Sequence, residues 1–238
     1  MIFEQDFNIG LDDLNSNVEL KNVSILKFLE DIAGFHSDYV QMGINEIHST
    51  GIAWALLDWE VKVLRRPKYG EKLHIKTWSR LLKKCHAYRD FEIYAGEERC
   101  VIATTKWMLM DLKRRWPALI KPDVAAKYEP EPDKNVLGNE EFARQVEFEN
   151  YEYAADYKVR RCDIDINGHV HNINYLEIVE EALRDGETVE ADHFHINYKK
   201  EIRYGETVRI YRKDADKTSF LIKNEDDTEI HAVVEFYR

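Results

Sequence analysis

The sequence predicts an α+β protein built from two copies of one unit, each an antiparallel sheet curled around a single long helix. Three observations carry that reading. First, the chain repeats itself. "YGEKLHI" at 69–75 returns as "YGETVRI" at 204–210, and "WEVKVLRR" (59–66) faces "FHINYKKE" (194–201) at the same offset of 135. "DFNIG" (6–10) faces "DYKVR" (156–160) at an offset of 150, so the first half carries extra residues between its helix and its next strand. The elements keep their order twice, which argues against chance. Second, each half holds one helical stretch followed by alternating apolar or β-branched runs with short turns, the pattern of consecutive antiparallel strands. Third, four of the five prolines, Pro117, Pro122, Pro130 and Pro132, crowd the middle of the chain. They read as a linker over 117–145 between an N-terminal unit, 1–116, and a C-terminal unit, 146–238.

In the first unit the stretch "SILKFLEDIAGFHSDYVQMG" sets Ile25, Leu29, Ile32, Phe35 or His36, and Tyr39 at helical spacing. Strands follow in "GIAWALLDWEVKVL", "EKLHIKTWSR", "CHAYRDFEIYAG" and "RCVIATTKWMLMDL". In the second unit the helix is "NINYLEIVEEAL", at an offset of 150 from the first. It precedes "HFHINYKKEI", "ETVRIYRK", "TSFLIKN" and "EIHAVVEFYR". A sheet with one helix per unit buries best by curling around that helix.

Composition narrows the function classes. Of 238 residues, 44% are hydrophobic, enough for a substantial core. No run approaches the roughly 20 apolar residues of a membrane span. The N-terminus lacks the basic and apolar regions of a signal peptide, and a cytoplasmic protein is the simplest expectation. Cys85, Cys100 and Cys162 are odd in number and scattered, a poor disulfide framework. A net charge of −11 argues against nucleic acid as partner. Short basic clusters stand out all the same: Arg65, Arg66 and Lys68; Lys83 and Lys84; Lys113, Arg114 and Arg115; Lys199, Lys200 and Arg203. Solvated strand ends account for most of them; a patch for an acidic partner is the sharper reading.

The most informative stretch is "DIDINGHVHNINYLEIVEEAL", residues 163–183. Asp165, Asn167 and His169 sit at alternate positions just before the second helix. One Asp or Asn suffices to cap a helix, because its side chain accepts a free backbone N–H. Three functional side chains and Gly168 exceed that need. A helix start also offers free N–H groups and partial positive charge. The repeat supplies a control. Asp165, Asn167 and His169 face Asn15, Asn17 and Glu19, so the first half keeps the polarity and lacks the imidazole. Glu201 is a second candidate; its counterpart is Arg66, and an ion pair with Lys200 or Arg203 is its plainer role. The pairs His169/His171 and His193/His195 suggest zinc, but no Cys or HExxH spacing supports it, and no metal is expected.

"DIDINGHVHNINY", followed by "INYKKEIRYGETV", resembles the acyl-acyl carrier protein thioesterases, the plant plastid enzymes and their bacterial relatives. "WEVKVLRRPKYGEKLHIKTW" and "ATTKWMLMDLKRRWPALIKPDV" extend the resemblance over nearly the whole chain. It implies a tandem (double) hotdog fold and hydrolysis of the thioester that joins a fatty acyl chain to the phosphopantetheine of acyl carrier protein, with no cofactor. It implies Asp165, Asn167, His169 and Glu201 as the catalytic set. Backbone N–H groups at Gly168 and His169 are the expected oxyanion donors. Three departures from the plant pattern are His171, Gly168 and Ile202; the last stands where many plant members carry a cysteine, so attack by water is expected rather than by a thiol. An acyl pocket is expected in the first unit, lined by Trp54, Leu56, Trp59 and Trp107. Arg65, Arg66 and Lys68, or Lys199, Lys200 and Arg203, are the expected docking cations for the acidic carrier. Either a monomer or a homodimer fits. An acyl-CoA thioesterase, a hotdog dehydratase and a non-catalytic acyl-binding module are the rival readings.

Overall fold

A computed structural model describes residues 1–138, 142 and 149–237. The chain divides into two compact units, Met1–Phe142 and Ala143–Arg238. Unit 1 contains β1 (Phe3–Asn8), α1 (Asn22–Tyr39), a short α2 (Ile47–Thr50), β2 (Ile52–Val63), β3 (Lys72–Lys83), β4 (His86–Ala95), β5 (Glu98–Asp111), β6 (Trp116–Pro117) and α3 (Pro122–Tyr128). Unit 2 contains β7 (Glu152–Lys158), α4 (Tyr175–Glu180), β8 (His193–Tyr198), β9 (Thr207–Asp214), β10 (Lys217–Asn224) and β11 (Ile230–Tyr237).

The repeat is visible in the topology. Unit 1 orders its main strands β1-β3-β4-β5-β2, and unit 2 orders the equivalent strands β7-β9-β10-β11-β8, every pair antiparallel. Each is the hotdog arrangement of sheet and central helix. Finer details repeat too. A 3-10 turn at Leu11–Asp13 matches one at Arg161–Asp163. Isolated bridges Leu14–Leu20 and Glu19–Lys68 match Ile164–Val170 and His169–Arg203.

α1 buries Ile25, Leu26, Leu29, Ile32, Ala33 and His36, one stripe of a 3.6-residue period. It stops before the expected end because Gln41 turns left-handed, with φ 56°. The second helix is much shorter than "NINYLEIVEEAL" suggests. A 3-10 turn, Asn172–Asn174, precedes α4, and the chain leaves the helix into a turn with Gly186 at φ 83°. The next segment is clamped to β9 instead: Glu187 takes both terminal nitrogens of the buried Arg212, at 2.5 and 2.7 Å.

The expected linker is only in part a linker. Trp116–Pro117 pairs with β5. Pro122 opens a helix, since the first helical position needs no N–H. From that helix Val124 and Tyr128 pack with Val40 and Met42 in a buried cluster. Residues 131–136 then bind the far side of the sheet. Glu131 N–H donates to the Ser79 carbonyl, Trp78 Nε1–H to the Lys134 carbonyl, and Val136 N–H to Asp90 Oδ2. They belong with Asp90, Arg80 and Thr104, a polar cluster that is itself buried. Burial raises the Asp90 pKa, against the opposing pull of Arg80 and Thr104. Part of the expected linker, 139–141 and 143–145, lies outside the described residues. Among the described residues no helix is long and apolar enough to cross a membrane.

Unit 1 also encloses a cation. Arg89 donates to His36 Nδ1 at 2.8 Å and to Thr77 Oγ1 at 3.1 Å. Burial, and then the Arg89 charge, push the His36 pKa down to about 3. An unfolded histidine titrates near 6.5. Between those values the unfolded chain binds the extra proton, so this stabilisation is complete above pH 6.5 and is lost as pH falls toward 3. Urea unfolding across that window should therefore show a flatter loss of stability for His36→Gln than for the native chain. Identical slopes would assign the acid sensitivity to other groups.

Candidate active site

The loop between β7 and α4 is built on Asp163. Its buried carboxylate accepts the Arg160 N–H at 2.7 Å, the Arg160 guanidinium at 2.8 Å and the Tyr157 hydroxyl at 2.8 Å. Burial alone would raise its pKa, but Arg160 and the other donors hold it below the usual carboxylate range. Its carbonyl accepts the His171 N–H and the Asn174 amide, at 2.8 and 3.1 Å. One residue thus pins both ends of the loop. Asp13 does the same in unit 1, taking the Gly10 N–H at 2.8 Å on its carboxylate and the Lys21 N–H at 3.0 Å on its carbonyl. The sequence reading passed over this pair, although an aspartate at both ends of the 150 offset is the signal that finds it.

Within the loop, Asp165 Oδ1 accepts the N–H groups of Asn167 and His169, at 2.8 and 3.2 Å. Oδ2 accepts the Asn167 side-chain amide at 3.0 Å. Asn15 makes the same two backbone bonds, to Asn17 at 2.9 Å and Glu19 at 3.1 Å. The position held by Asp165 and Asn15 is therefore a loop closer in both units, and the added feature in unit 2 is the hold of Asp165 on the Asn167 side chain. Gly168 stands at φ 81°, where a side chain is strained.

The imidazole is where the units diverge. His169 Nε2 lies 3.0 Å from Glu201 Oε2. Glu201 Oε1 accepts Arg203 at 2.7 Å. In unit 1 the matching residues are Glu19, Arg66 and Lys68: Lys68 lies 3.6 Å from Glu19, and Arg66 ties the Leu20 carbonyl to Asn22 Oδ1. All four expected catalytic residues thus fall on two adjoining loops of unit 2, linked in two pairs. Tyr175, the first residue of α4, is buried near them. Burial raises its pKa, and the charges of Glu201, Glu206 and Asp165 raise it further. The site is half open, with His169 partly exposed and Glu201 and Asn167 exposed. The Ile202 side chain is fully buried, and its carbonyl accepts the Val170 N–H.

Two expectations change. The Gly168 and His169 N–H groups, named as oxyanion donors, point into the loop: Gly168 donates to the Asp165 carbonyl at 3.1 Å, and His169 to Asp165 Oδ1. Loop closure consumes them. The docking cations are consumed in the same way. Arg65 is forked onto Glu71, with both bonds at 2.9 Å, and lies 2.7 Å from Glu98. Arg66 and Lys68 serve their own loop as described. Lys200 pairs with Glu229, and Arg203 with Glu201. For Lys199 the backbone N–H donates to the His231 carbonyl.

The expected pocket residues share a face. Opposite residues in an antiparallel pair project to the same side. Trp54 opposes Leu109 and Leu56 opposes Trp107, then the register slips by one at Leu57, and Trp59 opposes Thr105. That bulge lets Trp54, Leu56 and Trp59 face α1 together, with Trp107. Trp59 is fully buried against Phe91. Trp54 is half-buried and donates to the Tyr128 hydroxyl at 2.9 Å. Among the described residues no group of three His, Cys, Asp or Glu side chains is arranged to hold a metal ion.

Comparison with known proteins identifies the family and the fold. The family model for the acyl-ACP thioesterase N-terminal domain matches residues 1–128, and that for the C-terminal domain matches 147–236. The chain is 21% identical over 224 residues to the chloroplastic oleoyl-acyl carrier protein thioesterase of Coriandrum sativum, covering 87% of this chain and 61% of that protein. It is 24% identical over 219 residues to the chloroplastic dodecanoyl-[acyl-carrier-protein] hydrolase of Cinnamomum camphora, covering 84% and 56%. It thus spans under two thirds of these relatives' length. An acyl-ACP thioesterase structure from Bacteroides thetaiotaomicron superposes with a TM-score of 0.87 at 20% identity, over 99% of this chain and 97% of that one. A putative oleoyl thioesterase from Lactobacillus plantarum gives 0.85 at 22% identity, over 99% and 95%. These likenesses show the fold.

The matched loops make a paired test. Asp165→Ala and Asn15→Ala each remove two backbone acceptor bonds, and each should cost about 1 kcal/mol or more in urea unfolding. Asp165→Asn keeps the closing oxygen and should cost much less. Equal losses for Asp165→Asn and Asp165→Ala would refute loop closure as the residue's structural role.

Proposed function

The chain belongs to the acyl-ACP thioesterase family, and on that premise we propose that it hydrolyses the thioester of fatty acyl-acyl carrier protein, releasing free fatty acid and ending chain elongation. The observation that carries the proposal is the 3.0 Å contact between His169 Nε2 and Glu201 Oε2, at a loop whose twin in unit 1 carries Glu19 and Arg66 at those two positions.

A carboxylate acceptor on Nε2 selects the tautomer that carries its proton there and leaves Nδ1 as the free lone pair. Both oxygens of Glu201 are engaged, by His169 and by Arg203. We therefore assign Glu201 to orienting the imidazole and His169 Nδ1 to taking the proton from water. The hydroxide oxygen bonds to the thioester carbon, and the carbonyl π pair moves to oxygen. Asn167 has a second amide hydrogen beyond the one given to Asp165, and it is the donor assigned to that oxyanion. Collapse breaks the C–S bond, and the pantetheine thiolate recovers the proton from His169. The acyl chain is assigned to the face of unit 1 that carries Trp54, Leu56, Trp59 and Trp107. A cytoplasmic setting suits the three free cysteines.

Thiol release from acyl-acyl carrier proteins of graded chain length, with matching acyl-CoAs alongside, tests the reading. A strong preference for the carrier protein supports it. Equal or better activity on CoA moves the protein to the acyl-CoA class. His169→Ala and Glu201→Ala should each lower kcat on the order of 100-fold. Near-normal turnover in either variant removes that residue from the mechanism.

A further inference from the structure

The proposed substrate rides on an acidic protein, and this chain carries a net charge of −11. Two such surfaces associate only where one of them is locally basic. Of the cations expected to do this, Arg65, Arg66, Lys68, Lys200 and Arg203 are paired inside their own units. A different cationic surface, at one end of the unit 1 sheet, is not. Lys83 ends β3 and Lys84 follows it in the β3–β4 turn, the β5–β6 turn carries Lys113, Arg114 and Arg115, and Lys121 follows β6. Backbone bonds hold these turns together. Ile120 N–H donates to the Lys84 carbonyl, Leu109 N–H to the Cys85 carbonyl and Ala118 N–H to the Leu109 carbonyl, each at 2.8 Å. All six cations are exposed.

Among the described residues only one of the six has a carboxylate partner: Arg114 Nε lies 3.8 Å from Asp111 Oδ2. Asp111 is already occupied by the N–H groups of Lys113 and Arg114, both at 3.0 Å. Between Leu112 and Lys121 the sequence holds no acid, and the next one, Asp123, lies in the helix that follows. Three large apolar side chains stand among the cations: Leu112, 47% exposed; Trp116, 71%; and Leu119, 74%. A merely solvated face has no need of them. Exposed tryptophan and leucine ringed by arginine and lysine is the make-up of a protein-binding surface, where Trp and Arg supply most of the energy.

We propose that this end of unit 1 is the docking surface for the acidic carrier protein, with the cations facing its carboxylates and Trp116 as the apolar anchor. The proposal rests on the function proposed above. A protein is favoured over an anionic lipid surface because these are short turns pinned by hydrogen bonds, without the continuous apolar helix face that inserts into a bilayer.

The test compares the full chain with a Lys113→Glu/Arg114→Glu/Arg115→Glu variant and with Trp116→Ala. On acyl-acyl carrier protein the triple variant should raise KM about tenfold or more with kcat little changed. The same acyl group on a neutral pantetheine thioester should be hydrolysed as well as by the native chain. Trp116→Ala, which leaves every charge in place, should raise KM severalfold on the carrier substrate alone. Binding of the unloaded carrier protein, followed by calorimetric titration, reads docking without hydrolysis. Loss of that binding in the triple variant supports the surface even if the native chain cleaves neither thioester, an outcome that would sink only the function. Unchanged KM and unchanged carrier binding overturn the surface. So does an effect confined to sedimentation with phosphatidylglycerol vesicles, which would make the patch a lipid contact.

Discussion

The loop that carries the candidate site hangs from one buried carboxylate. Asp163 gathers the end of β7 through its side chain and the start of the helical segment through its carbonyl. That double attachment fixes where residues 164–170 leave and rejoin the body of the unit, and the Val170 N–H on the Ile202 carbonyl then holds His169 within 3.0 Å of Glu201. The charge itself is made tolerable by Arg160 and Tyr157, because a buried carboxylate needs donors on every side. Position and chemistry are therefore separate layers: Asp163 and Asp165 hold the backbone, and Asn167 and His169 are presented by it.

The duplicate unit shows how little separates the two layers. Asp13 and Asn15 build the same turn with the same backbone bonds. At the exposed positions unit 1 carries Asn17, Glu19 and Arg66, and the result is an ordinary ion pair and a tied helix start. Asn17 and Asn167 are the same residue, so at these positions two exchanges, Glu19 for His169 and Arg66 for Glu201, distinguish the two loops on a scaffold that is otherwise shared. That is the economy expected when function is grafted onto a fold.

Most of the architecture was legible because it is written in periodicity. The 150 and 135 offsets, the stripe from Ile25 to His36 and the alternating strands are properties of neighbouring residues, and the topology kept them all. What escaped depends on partners distant in sequence or on the backbone. The prolines at 117–132 suggested irregular chain, yet Pro122 suits a helix start, and the cover that Asp90 and Trp78 need is supplied from 131–136. A string such as "VLRRPKYGE" shows its charges and not that Glu71 closes onto Arg65. The N–H groups of Gly168 and His169 look available until the loop's own hydrogen bonds are drawn. The ion pair expected of Glu201 is present with Arg203, and it coexists with the His169 contact, which joins residues 32 positions apart.

The slip at Leu57 sets a rule for how the face of β2 that carries Trp54, Leu56 and Trp59 can change over time. Everything on β2 before that residue owes its orientation to one extra position in the strand. Deleting it would turn Ile52 through Leu56 over as a block, sending Trp54 and Leu56 outward and their neighbours in. No intermediate arrangement exists, because strand parity has only two values. Length changes in this strand are therefore all-or-nothing events, and gradual divergence among relatives must proceed there by exchanging one side chain for another.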